Sequence, residues 1–298
     1  MSAQTIVAPD TLSWPHRVAD FAELVKARLT FLVLVTTAAG FYLANPGRLN
    51  YLAMFHAVFG AALAAAGAAA LNQWWERRLD AVMERIRARP LPAGRMSAVA
   101  GLIIGATLSC AGIVYLTITT NRLAALLAAA TILIYIFAYT PLKRVSTANT
   151  LVGAIPGAVP PMIGWAAARN QLDAGAWCLF AIVFCWQMPH FFAIAWMCRH
   201  DYDRAGFQMI SSGDETGARS ASQAVLFAMF LLLIAGAPVA VGMTHAIYLP
   251  IEIALSGLFI AAAMRFLRTQ LTVDARRLFL ASILYLPLLL IALALTKR

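Results

Sequence analysis

The amino-acid sequence predicts an all-α integral membrane protein, a bundle of nine transmembrane helices, and three observations carry that prediction. The 298 residues are 62% hydrophobic and only 12% charged, about half the charged share of a soluble domain. Nine apolar runs approach the ~20 residues that a bilayer's hydrocarbon core requires. The lysines and arginines lie between those runs and alternate in number from one connection to the next. No linker or low-complexity tract divides the runs. Residues 24–298 are therefore expected to form one membrane domain, after a cytoplasmic N-terminal segment over residues 1–23.

That first segment is polar and mixed, with no apolar core ahead of a small-residue cleavage site, so no cleaved signal peptide is expected. The spans follow at 24–44, 51–71, 97–117, 122–140, 149–168, 174–197, 222–243, 247–267 and 278–296. The second is alanine-rich from Gly60 to Ala70, a composition that lets helices pack closely. The fifth carries Pro156, Pro160 and Pro161 among Gly153, Gly157 and Gly164. Prolines there kink or break the span, and broken spans commonly border cavities. The sixth contains Gln187, Pro189 and His190. Cys110, Cys178, Cys185 and Cys198 form no CxxC pair and read as small hydrophobes, not as disulfide or zinc ligands.

Lysine and arginine counts orient the bundle. Counting Lys26, Arg28 and Arg265 at the span ends, the N-terminus and the connections after spans 2, 4, 6 and 8 hold 18 of the 23, which places the N-terminus in the cytoplasm of a multi-pass cell inner-membrane protein. The net charge of +10 follows from this topology and does not call for a nucleic-acid partner. Eleven of the thirteen acidic residues also lie on the cytoplasmic side, all but Asp173 and Glu252. Orientation does not explain them, because acids contribute little to it. Four spans separate the acidic groups after spans 2 and 6, so both return to one membrane face and can share a cytoplasm-facing cavity.

Within LNQWWERRLDAVMERIRARPLPAGR, Asn72, Glu76 and Asp80 recur at four-residue spacing and fall along one stripe of a helix. An amide and two carboxylates offer hard oxygen ligands suited to Mg²⁺, which takes one or two carboxylates and completes its shell with water and phosphate. The stripe alone fits a solvated helix end equally well; the second acidic group tips the reading toward a metal and diphosphate site. That second group is Asp201 and Asp203 in HDYDRAGFQM. As alternate residues they point apart on a helix, so either a turn begins there or one of them faces the site, and Asp201 is favoured. Lys143 and Arg144 end span 4; they serve as positive-inside anchors and as candidates to hold a diphosphate. Arg77, Arg95, Lys26 and Arg28 are weaker candidates for the same work. His190 lies two or three turns inside its span, where a packed structural histidine and a functional one are both consistent with its place.

These motifs together resemble the UbiA superfamily of intramembrane prenyltransferases, from DFAELVKARLT near residue 20 to the end of the ninth span. RPLPAGR, YTPLKR followed by PGAVPPMIGWAA, and above all WQMPHF…DYDRAG are most similar to its haem-modifying branch. The resemblance implies a UbiA-type bundle and a reaction. Farnesyl diphosphate held by Mg²⁺ ionises to an allylic cation, a vinyl group of haem B attacks it, and water completes the hydroxyethylfarnesyl group of haem O. It implies catalytic and metal-binding roles for Asn72, Glu76, Asp80 and Asp201, and diphosphate binding by Lys143 and Arg144. His190 matches the family's PHF histidine, and a haem-facing or proton-handling role is expected of it; product is expected to be handed over to a haem A synthase or terminal oxidase assembly. The first motif departs from the family's N-x-x-x-D-R-D-I-D, since Glu76 stands for an aspartate and Arg78 for an acid. That leaves the number of bound metals open.

Three rivals are separable. A prenyltransferase for an aromatic quinone precursor would yield a different product mass. A multispan transporter should place its charges near the bilayer midplane, whereas here they gather at one rim. A non-catalytic assembly factor would tolerate loss of the acidic stripe.

Overall fold

The computed structural model describes residues 14–298 and is helical throughout. Residues 1–13 of the expected N-terminal segment lie outside the described residues. Helix α1, Trp14–Leu24, precedes the first span. The others are α2 Ala27–Ala44, α3 Tyr51–Asp80, α4 Ala98–Thr119, α5 Arg122–Leu133, α6 Thr140–Leu142, α7 Asn149–Ala158, α8 Pro160–Arg169, α9 Ala174–Met197, α10 Arg199–Arg204, α11 Ala218–Ala235, α12 Ala237–Ala240, α13 Tyr248–Thr269 and α14 Thr272–Leu295. Among the described residues nine helical segments are long and apolar enough to cross a membrane. They match the nine expected spans, with shifts at the ends.

Polar residues start the spans where the sequence places them. Asn50, Ser97 and Asn121 each accept a hydrogen bond from the backbone N–H three residues on, and Asp173 accepts from Gly175. These bonds satisfy donors that the first helical turn leaves unpaired. The fifth span breaks as expected: α7 gives way to α8 at Val159, because Pro160 and Pro161 offer no N–H to continue the ladder. The fourth span carries a π-helical stretch, Ile134–Tyr139, before α6, an irregularity frequent at functional sites.

The helices surround two main apolar cores, beside two smaller clusters around Met83 and Leu24. The larger holds Trp165, Trp186, Trp196, Phe192, Tyr248 and Phe266, and the smaller joins α3, α5 and α8 through Ala61, Ala128 and Ile163. Large apolar side chains such as Phe31, Phe55, Ile103, Leu233 and Leu258 are exposed, as expected of a surface bathed in lipid tails. Helix α2 crosses α8 with backbones touching. A Cβ on Gly164 would overlap the Thr37 carbonyl oxygen, and one on Gly40 the Pro161 carbonyl oxygen.

Helix α3 has 30 residues, about 45 Å of rise against a hydrocarbon slab of about 30 Å. Its surplus length is the polar end that carries Asn72, Glu76 and Asp80. Helix α1 is tied to that end, because the Gln73 amide donates to the Glu23 and Leu24 carbonyls at 2.8 and 2.7 Å. Arg95 clasps Asp20 from the other side at 2.8 Å.

Candidate active site

One cavity of about 450 Å³ reaches from the polar end of α3 into the bundle. Asn72, Glu76 and Asp80 line it together, each at most 5% exposed. The four-residue spacing on α3 therefore brings all three to one wall.

Every one of these side chains meets a cation. Lys26 donates to the Asn72 amide oxygen at 2.8 Å. Lys143 donates to both Glu76 oxygens, at 2.8 and 2.9 Å. Arg89 bonds Asp80 at 3.1 Å. The Asn72 amide nitrogen in turn donates to Glu76 at 3.0 Å and to Thr140 at 3.1 Å, which fixes which way the amide points. Burial alone would push the Lys143 ammonium down; the Glu76 carboxylate together with Tyr139 and Tyr135 holds the group above the ordinary lysine range. Lys143 also sits over the Tyr139 ring, 4.5 Å from its centre, and Tyr139 stacks on Tyr135 with ring centres 5.3 Å apart.

His190 lines the cavity deeper in, from α9. Its Nδ1 lies 2.7 Å from the Ser282 hydroxyl, and Trp186 and Phe279 flank its ring. Ser282 makes a second bond as donor to the Phe279 carbonyl, which leaves its oxygen to accept from His190 Nδ1–H. Nε2 then carries the lone pair.

Three predicted site residues lie away from the cavity wall. Asp201 does not line the cavity. It pairs with Arg204 at 2.8 Å and accepts from the Glu84 backbone N–H at 3.3 Å, while Arg204 also bonds Glu84 at 2.7 Å. The short helix α10 turns Tyr202 toward the cavity instead, and burial raises its phenol above the usual tyrosine value. Arg77 folds back on its own helix, donating to the Trp74 carbonyl at 2.6 Å and lying over the Trp74 ring. Arg144 is exposed and outside the cavity wall.

Lys26, by contrast, is promoted from a weaker candidate to a wall residue. Its backbone is left-handed, φ 49°, a conformation that costs a non-glycine residue about 1–2 kcal/mol. The turn between α1 and α2 thereby aims its ammonium inward. Arg85, Arg89, Tyr135 and Tyr139 also line the cavity and were not anticipated. Tyr135 and Tyr139 sit one turn apart just ahead of Lys143, a pattern that could have flagged them.

The donor set suits Mg²⁺. Among the described residues no group of three or more His, Cys, Asp or Glu side chains is placed to hold a metal ion by itself. The wall offers two carboxylates and one amide oxygen, which matches a hard cation that leaves most of its shell to water and substrate phosphate.

A bundle with one deep apolar cavity, acid and base gathered at its mouth, is the architecture of the membrane-embedded prenyltransferases. The chain belongs to the UbiA prenyltransferase family, which it matches over residues 33–289. A relative in Solibacter usitatus named protoheme IX farnesyltransferase is 42% identical over 91% of this chain and 96% of its own length. The fold is shared with a solved digeranylgeranylglyceryl phosphate synthase, TM-score 0.78 at 15% identity, over 94% of this chain and 98% of that one. It is also shared with a UbiA homologue from Archaeoglobus fulgidus bound to GPP and Mg²⁺, TM-score 0.63 at 12% identity, over 92% and 99% of the two chains.

Proposed function

We propose that this protein transfers the farnesyl group of farnesyl diphosphate to a vinyl group of haem B, giving haem O. The observation that carries the reading is the buried Asn72–Glu76–Asp80 wall facing Lys26, Lys143 and Arg89 at the mouth of an apolar cavity. The 42% identical protoheme IX farnesyltransferase supports the choice of acceptor.

Asn72, Glu76 and Asp80 would hold Mg²⁺, which when bound supplies positive charge to the departing diphosphate. Lys26, Lys143 and Arg89 bind the diphosphate oxygens and take up negative charge as the C1–O bond breaks with its electron pair on the leaving group. The apolar wall excludes water from the allylic cation, and the stacked faces of Tyr135 and Tyr139 stabilise positive charge nearby. The vinyl group then forms the carbon–carbon bond. Water adds its oxygen to the resulting cation and returns a proton to solvent. His190 faces the acceptor with Nε2 free to hold a proton or face the haem. Tyr202 lies among the rim groups as a neutral phenol. Asp201 acts as a positioning residue, pinning the turn after Asp80 through Glu84. Arg77 and Arg144, both outside the cavity wall, serve as positive-inside anchors.

The positive-inside bias supports an inner-membrane location with the N-terminal segment, residues 1–23, in the cytoplasm and the cavity mouth on that face. Residues 24–298 act as one domain, and product passes to a haem A synthase or terminal oxidase assembly. The test is incubation of purified protein in lipid with haem B and farnesyl diphosphate, with and without Mg²⁺. A Mg²⁺-dependent product with the mass of haem O is expected. Prenylation of 4-hydroxybenzoate in place of haem B would overturn the assignment of acceptor.

A further inference from the structure

A second cavity, of about 500 Å³, lies at the end of the bundle opposite the catalytic mouth. Helix α2 joins the two: Lys26 stands at its catalytic end and Asn45 at the other, about 28 Å away by helix rise. The end of α8 with Trp165 and Arg169, the start of α9 with Asp173, the turn over 241–243 and Lys297 after α14 complete the wall. A backbone bridge between Thr244 and Lys297 pins that last segment. Five of the 23 lysines and arginines fall outside the cytoplasmic set, and three of them, Arg169, Lys297 and Arg298, line this one cavity. Arg169 donates to the Ala44 carbonyl at 2.7 Å and pairs with Asp173 at 2.8 Å, so its charge is balanced. Lys297 donates to the Tyr42 carbonyl at 2.6 Å and to the Asn45 carbonyl, and has no carboxylate partner among the described residues. Burial, and after it the Arg169 charge, holds the Lys297 ammonium below the ordinary lysine value. Trp165 is 3% exposed, and its indole N–H has no partner among the described residues.

We infer that this second cavity binds the headgroup phosphate of an anionic glycerophospholipid, with Lys297, Arg169 and the Trp165 indole N–H as donors. The inference goes beyond the prenyl-transfer reading and does not depend on it. Asp173 offsets Arg169, which leaves the Lys297 charge in excess inside the wall. One excess positive charge matches a phosphodiester, whose oxygens accept charge-assisted bonds from ammonium and guanidinium alike. An N–H left unpaired in a buried place costs about 1–3 kcal/mol, which a phosphate oxygen would recover. The place favours a lipid over a free ion. The ends of spanning helices stand at headgroup depth, where tryptophan commonly anchors, and Leu43, Val241 and Met243 give the cavity an apolar side for glycerol and the first methylenes. A phosphate held there ties α2, α8 and the segment after α14 together, on the outer face in the orientation proposed above.

The experiment is lipid retention by the purified protein in detergent, read by native mass spectrometry, with phosphatidylglycerol, phosphatidylcholine and inorganic phosphate as probes. Wild type should keep a single phosphatidylglycerol in preference to phosphatidylcholine, and millimolar inorganic phosphate should not displace it. Lys297→Gln keeps donors for the α2 carbonyls and loses the charge; retention should weaken about tenfold or more, and Lys297→Arg should restore it. Trp165→Phe should weaken retention about fivefold, the worth of one hydrogen bond. Arg122→Gln changes an exposed cation outside the cavity wall and should leave retention unchanged. Should Lys297→Gln fail to fold, Trp165→Phe decides alone. The inference is overturned if the folded variants hold phosphatidylglycerol as wild type does, or if Arg122→Gln loses it equally. Equal retention of phosphatidylcholine, or displacement by inorganic phosphate, overturns it too, the latter by making the cavity a site for a free anion.

Discussion

The Lys143 ammonium contacts both carboxylate oxygens of Glu76, at 2.8 and 2.9 Å, across 67 residues of chain. The side chains are 12% and 6% exposed, so neither charge has water to fall back on. Such a pair contributes little net stability when whole, yet losing one partner costs several kcal/mol. In the proposed diphosphate site the pairing has a second use: both charged groups are held in place for a ligand that needs both.

Glu76→Gln is therefore expected to act on two readouts. Farnesyl transfer should fall by about 10²–10³-fold, the cost of removing one group that stabilises developing charge. Stability should fall by about 3 kcal/mol because Lys143 is left unpaired in a buried place. Adding Lys143→Met should restore the melting temperature in detergent without restoring turnover.

Lys26→Gly should separate stability from activity. Glycine relieves the left-handed backbone and gains about 1 kcal/mol, offset in part by the freedom it adds to the unfolded chain. Loss of the ammonium should raise KM for the donor diphosphate by about tenfold. A variant that is as stable as wild type but binds donor poorly is the expected result of calorimetry and steady-state kinetics.

The relocated Asp201 makes a comparison possible. Asp80→Asn removes a carboxylate of the proposed metal wall and should lower Mg²⁺-supported turnover by more than about a hundredfold. Asp201→Asn disturbs only the Glu84–Arg204 cluster on the exposed side and should cost less than about tenfold. Titration of turnover with Mg²⁺ distinguishes the two, and equal losses would return Asp201 to the proposed metal site.

Gly164→Ala should destabilise by about 3 kcal/mol or more, at the upper end for single substitutions, because the clash is with backbone that cannot move aside. A thermal melt in detergent reads it directly.

The direction of the Lys143 shift fixes a pH expectation. A lysine held above its ordinary value favours the folded protein fully below the unfolded lysine value of about 10.4, and loses that contribution only as pH rises through the higher folded value. Activity at alkaline pH up to about 10 should therefore show no limb due to Lys143. Lys143→Arg, if active, should leave the shape of the profile unchanged.

The spans were legible because lipid imposes a length and an apolar composition that no tertiary contact can override. Their ends were less so. The ninth span was expected from residue 278, but α14 starts at Thr272, since Asp274 is satisfied by Arg265, Arg277 and Thr269. The Asn72–Glu76–Asp80 stripe was legible because spacing on a long helix fixes direction. Asp201 was not: α10 has six residues, and which face it turns inward depends on Glu84, 117 positions away. Lys26 was undervalued because a left-handed lysine leaves no mark in the sequence, unlike the glycine that such a turn usually takes.

The overlong α3 has a kinetic consequence. Its acidic end stands at the depth of lipid headgroups and the apolar cavity below it at the depth of acyl chains, the same two depths that a diphosphate-headed, hydrocarbon-tailed molecule occupies in the leaflet. Encounter is then a search in two dimensions. Turnover should track the mole fraction of donor among lipids, and adding plain phospholipid at constant bulk concentration should slow the enzyme by dilution alone.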